Sequence, residues 1–337
     1  MAVAKTVLDT RGNMLLPAGT EAWPFVEQLK NVNIKYLYIN DEISKDIETW
    51  NILSEDTRKK LPTLMEYAKL RNQSPDNAAQ SWTSSHYIIE FIDMAMLISN
   101  DIISNKSNET RIDATELFTN NVYPLSHELN VAVIAGLIGR MMGLPDIYNL
   151  CLAGLLHNIG ELGLPIDIRE KLENNQPLTP AEVIKFENYP LLGFEMVRNC
   201  TDAEVSHAIF HHKENFDGSG YPMSKSEEDI PLSAQIIAIA NTFDELFSIR
   251  KLRIYEIVEW IQKHSGTIFN PKLVKMIAKN TIPYPNGTVV YLNDGRAGVI
   301  IGQSPHFVAR PIVKIINSAT VVNLLEDLTL SIEDIDM

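Results

Sequence analysis

The strongest constraint on this chain is helical periodicity sustained from about residue 116 to 282. The segments "ELNVAVIAGLIGRMMGL" and "DIYNLCLAGLLHNIGELG" repeat apolar residues at spacings of three and four, and each closes on a glycine followed soon by a proline. Such runs predict buried helices stacked on one another. "LTPAEVIKFE" adds a start signal, with Thr179 as cap, Pro180 in the first turn and Glu182 three residues after the threonine. "AEVSHAIFHHKENF" predicts another helix, broken at "DGSGYP", and "SAQIIAIANTFDELF" resumes the pattern.

The two ends read differently. "KTVLDTRGNMLLPAGT" predicts a small hairpin turning at Arg11-Gly12-Asn13, followed by a helix and the strand "KYLYIN". "NGTVVYLNDGRAGVII" predicts two strands around Asn293-Asp294-Gly295, with "RPIVKIIN" and "ATVVNL" as two more. The expected units are a β-rich segment over 1–45, a helical connector or dimerisation segment over 46–115, a helical domain over 116–283, and a β unit over 284–337 with the N-terminal one as candidate packing partner. "NQSPDNAAQS", Asn72 to Ser81, is the expected joint. The fold class is mainly α, a helical bundle with small β segments at both termini.

The 337 residues suffice for two or three compact units without staples. With 29 Lys and Arg against 43 Asp and Glu, the net charge of −14 repels nucleic acid and anionic lipid, so an anionic ligand needs a local basic cluster. "SIRKLR", with Arg250, Lys251 and Arg253, is such a cluster. Cys151 and Cys200 are too few for a disulfide framework, which points to the cytoplasm. "MAVAKTVLDTRGN" lacks the apolar core of a signal peptide, and "HYIIEFIDMAMLI" is interrupted by Glu90 and Asp93, as in a buried soluble helix.

Single histidines are weak signals, but their order here is specific. His127 begins one helix, His157-Asn158 ends the next, and Tyr189-Pro190 follows a capped helix; His211-His212 precedes "DGSGYP", and Asn241 sits in "IANTFDEL". This order resembles the HD-GYP family, a subgroup of the HD-domain metal-dependent phosphohydrolases that hydrolyse cyclic di-GMP in bacteria. The resemblance covers 116–282, most specifically at "FDGSGYP", with support from "HNIGELGLP", "NTFDEL" and "NGTVVYLNDGRAGVI". "VAKTVLDTRGNMLLPAGT" is similar to the β-rich segment that often precedes this domain. The implied fold is an HD-type bundle.

Active members of that family hold two or three metal ions with histidines and aspartates, because closely spaced cations need carboxylates to offset and bridge them. The resemblance carries the metal positions onto His127, His157 and His212, which remain. It also carries them onto Asn158 and Asn241, where the family has aspartate, and onto Tyr189, where it has histidine. Glu161 stands where a phosphate-facing lysine is implied, and Tyr123 where some members use a glutamate. The histidine pair falls on His212-Lys213 without a gap, or on His211-His212 with one residue inserted; the ungapped reading also matches Glu214. An amide supplies neither charge nor a second oxygen.

The resemblance therefore implies a degenerate site with no catalytic residue to assign and no cofactor, or a single weakly bound iron or manganese ion on the three histidines. It implies phosphate contacts at Arg250 and Arg253, which Lys213 joins, and an interaction loop at Asp217, Gly218, Ser219, Gly220, Tyr221 and Pro222 that presents Tyr221 to GGDEF-type cyclase proteins. The expected function is an inactive HD-GYP-like signalling protein that binds cyclic di-GMP, a protein partner, or both. Two alternatives stand beside it: an active phosphodiesterase whose rearranged site recruits Glu161, Glu214 or Asp244, and a nucleotide-free homodimeric scaffold. Neither nucleic acid nor membrane is an expected partner.

Overall fold

Local signals at the N-terminus produce short paired elements. In the computed structural model, which describes residues 2–3, 7–8, 14–32, 34, 37, 39–40, 52–64, 82, 87–105, 111–113, 126–304 and 307–336, strand β1 (Ala2–Val3) pairs antiparallel with β4 (Ile39–Asn40) and β2 (Val7–Leu8) with β3 (Met14–Leu16). The expected hairpin is present, and its turn at Arg11 to Asn13 lies outside the described residues. Helix α1 (Val26–Asn31) contributes Leu29 to a small cluster with Val3, Leu16, Ala22 and Ile34.

The connector expected over 46–115 does not stand apart from the bundle. Ser54 caps α2 (Glu55–Lys60) by accepting the Thr57 N–H, and Asp101 of α3 (Tyr87–Ser104) accepts from the Ser54 N–H and the Thr57 hydroxyl. Phe91, Met94, Ala95, Ile98 and Ile102 of α3 are buried in one core with α4 (Ser126–Met141) and α5 (Tyr148–Leu156), to which Leu53, Leu61, Leu64 and Trp82 also belong. The apolar stripe of α3 is long enough to need a partner, and α4 and α5 supply it. The expected joint at 72–81 lies outside the described residues.

α4 and α5 cross closely at Gly154, where a Cβ would come within 2.5 Å of the Ala132 Cα. α5 stops at Leu156, and Ile159–Gly163 tightens into a 3₁₀ turn before α6 (Ile166–Glu173). α7 (Pro180–Phe186) carries the expected capping box at Thr179 and Glu182, and α8 (Tyr189–Val197) and α9 (Ala203–His211) follow. α10 (Leu232–Asp244) runs on into one π turn over Glu245–Ile249 before α11 (Ile254–Lys263) and α12 (Pro271–Asn280). No helix among the described residues is long and apolar enough to cross a membrane.

The C-terminal strands form their own antiparallel sheet in the order β10 (Val321–Asn323), β9 (Ile312–Ile315), β8 (Ala297–Gly302), β7 (Val289–Leu292), β11 (Ile332–Asp336). β11 is unforeseen because "IEDID" carries three carboxylates; a register shift between Ile332 and Asp334 lets it pair with β7. No described N-terminal strand joins this sheet. It meets the bundle instead, through the Arg253–Asp334 ion pair at 2.8 Å, close to where β5 (Ile112–Asp113) and β6 (Thr281–Ile282) pair in parallel.

Candidate functional site

Three helix ends meet inside the bundle: the start of α4 with His127, the end of α5 with His157, and the last turn of α10 with Asn241 and Asp244. His127 Nδ1 bonds Asp244 Oδ2 at 2.7 Å and His157 Nδ1 bonds the Gly154 carbonyl at 2.8 Å, so each ring donates from Nδ1 and turns Nε2 inward. Asn241 Nδ2 donates to Glu245 Oε1 at 2.8 Å, which orients the amide with Oδ1 towards the histidines. Three acceptors therefore form a triangle. His127 Nε2 and His157 Nε2 are 3.2 Å apart, and Asn241 Oδ1 lies 3.0 and 3.1 Å from them.

Asp244 is fully buried and shares its other oxygen between Asn130 Nδ2 at 2.7 Å and the Ser248 hydroxyl at 2.8 Å. Burial alone would lower the pKa of His127, but the hydrogen bond to Asp244 and the carboxylates of Glu128, Asp244 and Glu245 raise it above the usual histidine value. His157 goes the other way: burial, then the neighbouring His127 and His212, hold it neutral, well below that value.

His212 is separated from the triangle by its partner. Its Nδ1 donates to the Ile209 carbonyl at 2.7 Å, and its Nε2 accepts the Tyr189 hydroxyl at 2.7 Å, with both side chains buried. Burial and the Lys213 ammonium push the His212 pKa down to about 3, and burial raises that of Tyr189. Lys213 reaches towards the same cluster and pairs with Glu245 at 3.3 Å. His211 faces elsewhere, stacked on His207 and packed against Phe210. His212, which both alignments include, and Lys213 lie beside the histidine cluster, and His211 does not.

The donor set does not fit the two-metal cluster that the resemblance implies. The triangle offers two imidazole nitrogens and an amide oxygen, and no carboxylate to offset paired cations. Among the described residues, no group of three or more His, Cys, Asp or Glu is placed to hold a metal ion. A proton on one ring, or a single cation, satisfies the three acceptors. Of the carboxylates considered for a rearranged site, Asp244 is used by His127, Asn130 and Ser248, and Glu214 accepts the backbone N–H groups of Met223 at 2.7 Å and Lys225 at 3.0 Å. Glu161 is half-buried in the 3₁₀ turn, near enough to raise the pKa values of Tyr189 and Tyr221. Asn158 precedes it, also half-buried, its carbonyl accepting the Glu161 N–H at 3.0 Å. Tyr123 lies outside the described residues.

The loop from Asp217 to Pro222 differs from the expectation in one respect. Asp217 caps it by accepting the Ser219 N–H at 2.9 Å, and Gly218 takes φ +83°. Gly220 sits so close to the chain that a Cβ would lie 2.2 Å from Asn215 N. Tyr221, however, is not presented outward. It is half-buried against the cluster of Leu164, Ile168 and Tyr189, in a turn held down by Glu214, which accepts the Met223 N–H. The exposed apolar residue here is Met223, at 57 %.

The basic positions do not gather on one point. Lys213 pairs with Glu245, Arg253 donates to Asp334 on β11 at 2.8 Å, and Arg250 is exposed beyond the π turn. Two residues of the site escaped the sequence reading. Asn130 lies three positions after His127 on the same helical face, and Glu245 lies four after Asn241, so both spacings were available as signals. Nothing in the sequence tied Glu245 to Lys213, 32 residues away.

Residues 98–273 match the HD-domain family. The chain is 30 % identical over 220 residues to a cyclic di-GMP phosphodiesterase of Pseudomonas aeruginosa, a match that covers 62 % of this chain and 51 % of that one. It is 31 % identical over 165 residues to a cyclic di-GMP phosphodiesterase of Thermotoga maritima, covering 45 % of this chain and 43 % of that one. The chain therefore spans about half the length of the named relatives it matches. Among solved structures, an HDG"Y"P protein from Bdellovibrio bacteriovorus superposes with a TM-score of 0.50 at 16 % identity, covering 82 % of this chain and 96 % of that one, which shows a shared fold.

Proposed function

The chain belongs to the HD-domain family, and from that premise we propose that it binds a cyclic dinucleotide, cyclic di-GMP, without hydrolysing it, and signals in the cytoplasm to a protein partner such as a GGDEF-type cyclase. One observation carries the loss of hydrolysis: the positions that would hold bridging metals present an amide and a phenol, and His212 Nε2 is engaged by the Tyr189 hydroxyl. Without bridging carboxylates, two closely spaced cations repel each other, and no metal-bound water is generated to attack phosphorus. A single weakly held iron or manganese ion on the histidines is compatible with this reading. Relatives named as cyclic di-GMP phosphodiesterases support cyclic di-GMP as the ligand. Arg250 and Arg253, beyond the π turn, and Lys213, at the histidine cluster, are proposed as separate phosphate contacts, and the loop from Asp217 to Pro222 is the proposed partner surface through its exposed Asp217 and Ser219.

The names of those relatives favour a second reading, a working cyclic di-GMP phosphodiesterase with a rearranged metal site, more strongly than they favour an inactive protein. Calorimetric titration with cyclic di-GMP, followed by analysis of the recovered nucleotide, separates the two. Saturable heat with intact nucleotide is expected. Linear product would establish the phosphodiesterase, and the absence of heat at high micromolar ligand would overturn binding and leave a scaffold. An Arg250→Ala, Arg253→Ala double variant is expected to bind about tenfold more weakly, the equivalent of one or two charge-assisted contacts.

A further inference from the structure

A carboxylate, Glu245, stands beside the Lys213 ammonium next to the histidine cluster. Glu245 lies on the first residue of the π turn that follows α10, and its Oε1 accepts from both Asn241 Nδ2 at 2.8 Å and Lys213 Nζ at 3.3 Å. The Lys213 and Glu245 side chains are 23 % and 41 % exposed, so the pair is reachable from solvent. Burial alone would raise the pKa of Glu245, but Lys213 and the Asn241 N–H outweigh it and keep the carboxylate ionised. Burial first, and the charge of Glu161 with it, raises the pKa values of Tyr189 and Tyr221.

We propose that Glu245 is an internal competitor for the Lys213 ammonium, a specificity-determining residue that admits a phosphate group only when the Lys213–Glu245 pair opens. A phosphate entering at Lys213 meets a carboxylate already within hydrogen-bonding reach of the same ammonium, and the two anions cannot share it without repulsion. The Asn241 amide is tied to the same oxygen, so opening the pair by displacement of the Glu245 carboxylate also releases the orientation of Oδ1 towards His127 and His157. Ligand entry and the histidine triangle are thereby linked through one carboxylate. The proposal rests on the reading of the pocket as a cyclic dinucleotide site, but its test is independent of that reading.

The test is a double-mutant cycle on the full chain, with affinity for cyclic di-GMP and for inorganic phosphate measured by calorimetry in wild type, Glu245→Gln, Lys213→Met and the double variant. Glutamine keeps an oxygen for Asn241 and Lys213 and removes only the charge. Glu245→Gln is expected to bind either probe about tenfold more tightly, the scale of one unit charge removed at short range in a partly solvated site. Lys213→Met is expected to weaken binding less than about threefold in wild type and about tenfold in the Glu245→Gln background, because only there is the ammonium available. Equal or weaker binding by a folded Glu245→Gln protein overturns the proposal, as does a full loss on Lys213→Met in wild type. If wild type binds cyclic di-GMP and Glu245→Gln binds it no better, the competitor role falls and the dinucleotide reading stands. A gain confined to Glu245→Gln over a wild type that does not bind supports the competitor role and refutes the dinucleotide reading.

Discussion

Replacing Gly160 with alanine is expected to destabilise the bundle by about 3 kcal/mol, the upper range for overpacking a closed contact, and to lower the melting temperature by about 10 °C. The reason is backbone against backbone. A Cβ at Gly160 would sit 1.9 Å from the Tyr189 carbonyl oxygen and 2.4 Å from the Gly193 N, and neither can rotate away as a side-chain end could. The 3₁₀ turn that follows His157 must then lift off the start of α8, which moves His157 relative to Tyr189 and His212. Gly302→Ala is the matched control. There the added Cβ meets Ile312 at 3.5 Å, ordinary van der Waals contact, and a change within about 0.5 kcal/mol is expected. Thermal unfolding of both variants checks this; equal melting temperatures would mean that the turn and α8 are not in contact.

Asp244→Ala is expected to cost more, about 3–5 kcal/mol in urea unfolding, because it removes the shared acceptor of His127, Asn130 and Ser248 from a fully buried position. The loss comes chiefly from donors left behind. Asn130 is itself fully buried and has Asp244 Oδ1 at 2.7 Å, so its amide would be desolvated without that acceptor. The same substitution frees the His127 ring, whose Nδ1 hydrogen bond keeps Nε2 in the triangle. A stability loss of less than about 1 kcal/mol, with an unchanged slope, would show that Asp244 does not organise the site.

The helices, the capping box at Thr179 and the hairpin around Gly295 were legible because each is specified by neighbours within a few residues. Contacts between distant residues were legible only in part. The order of His127, His157, His212 and Asn241 placed them in one site, yet Tyr189 read only as a lost ligand. The structure makes it the hydroxyl partner of His212, a role that depends on how α8 meets α9. Tyr221 read as an outward residue because turn signals specify the chain reversal and not the direction of a ring, which here packs on Leu164 and Ile168. The apolar spacing of "HYIIEFIDMAMLI" makes α3 legible as a buried helix, but which helices cover it is decided by the faces of α4 and α5. Glu245 was missed for the same reason as β11: a charged residue in a helical or strand pattern is ordinarily read as a solvated face.

These observations share one claim, that the centre of the bundle is closed by the protein's own hydrogen bonds and ion pair where bridged metals would otherwise be required. Elemental analysis of the chain purified after growth with iron and manganese tests it most directly, alongside cyclic di-GMP hydrolysis by the same sample. The expected result is less than one equivalent of either metal, removed by mild chelation, and intact nucleotide. About two tightly held equivalents, with hydrolysis that chelation abolishes and metal restores, would contradict it.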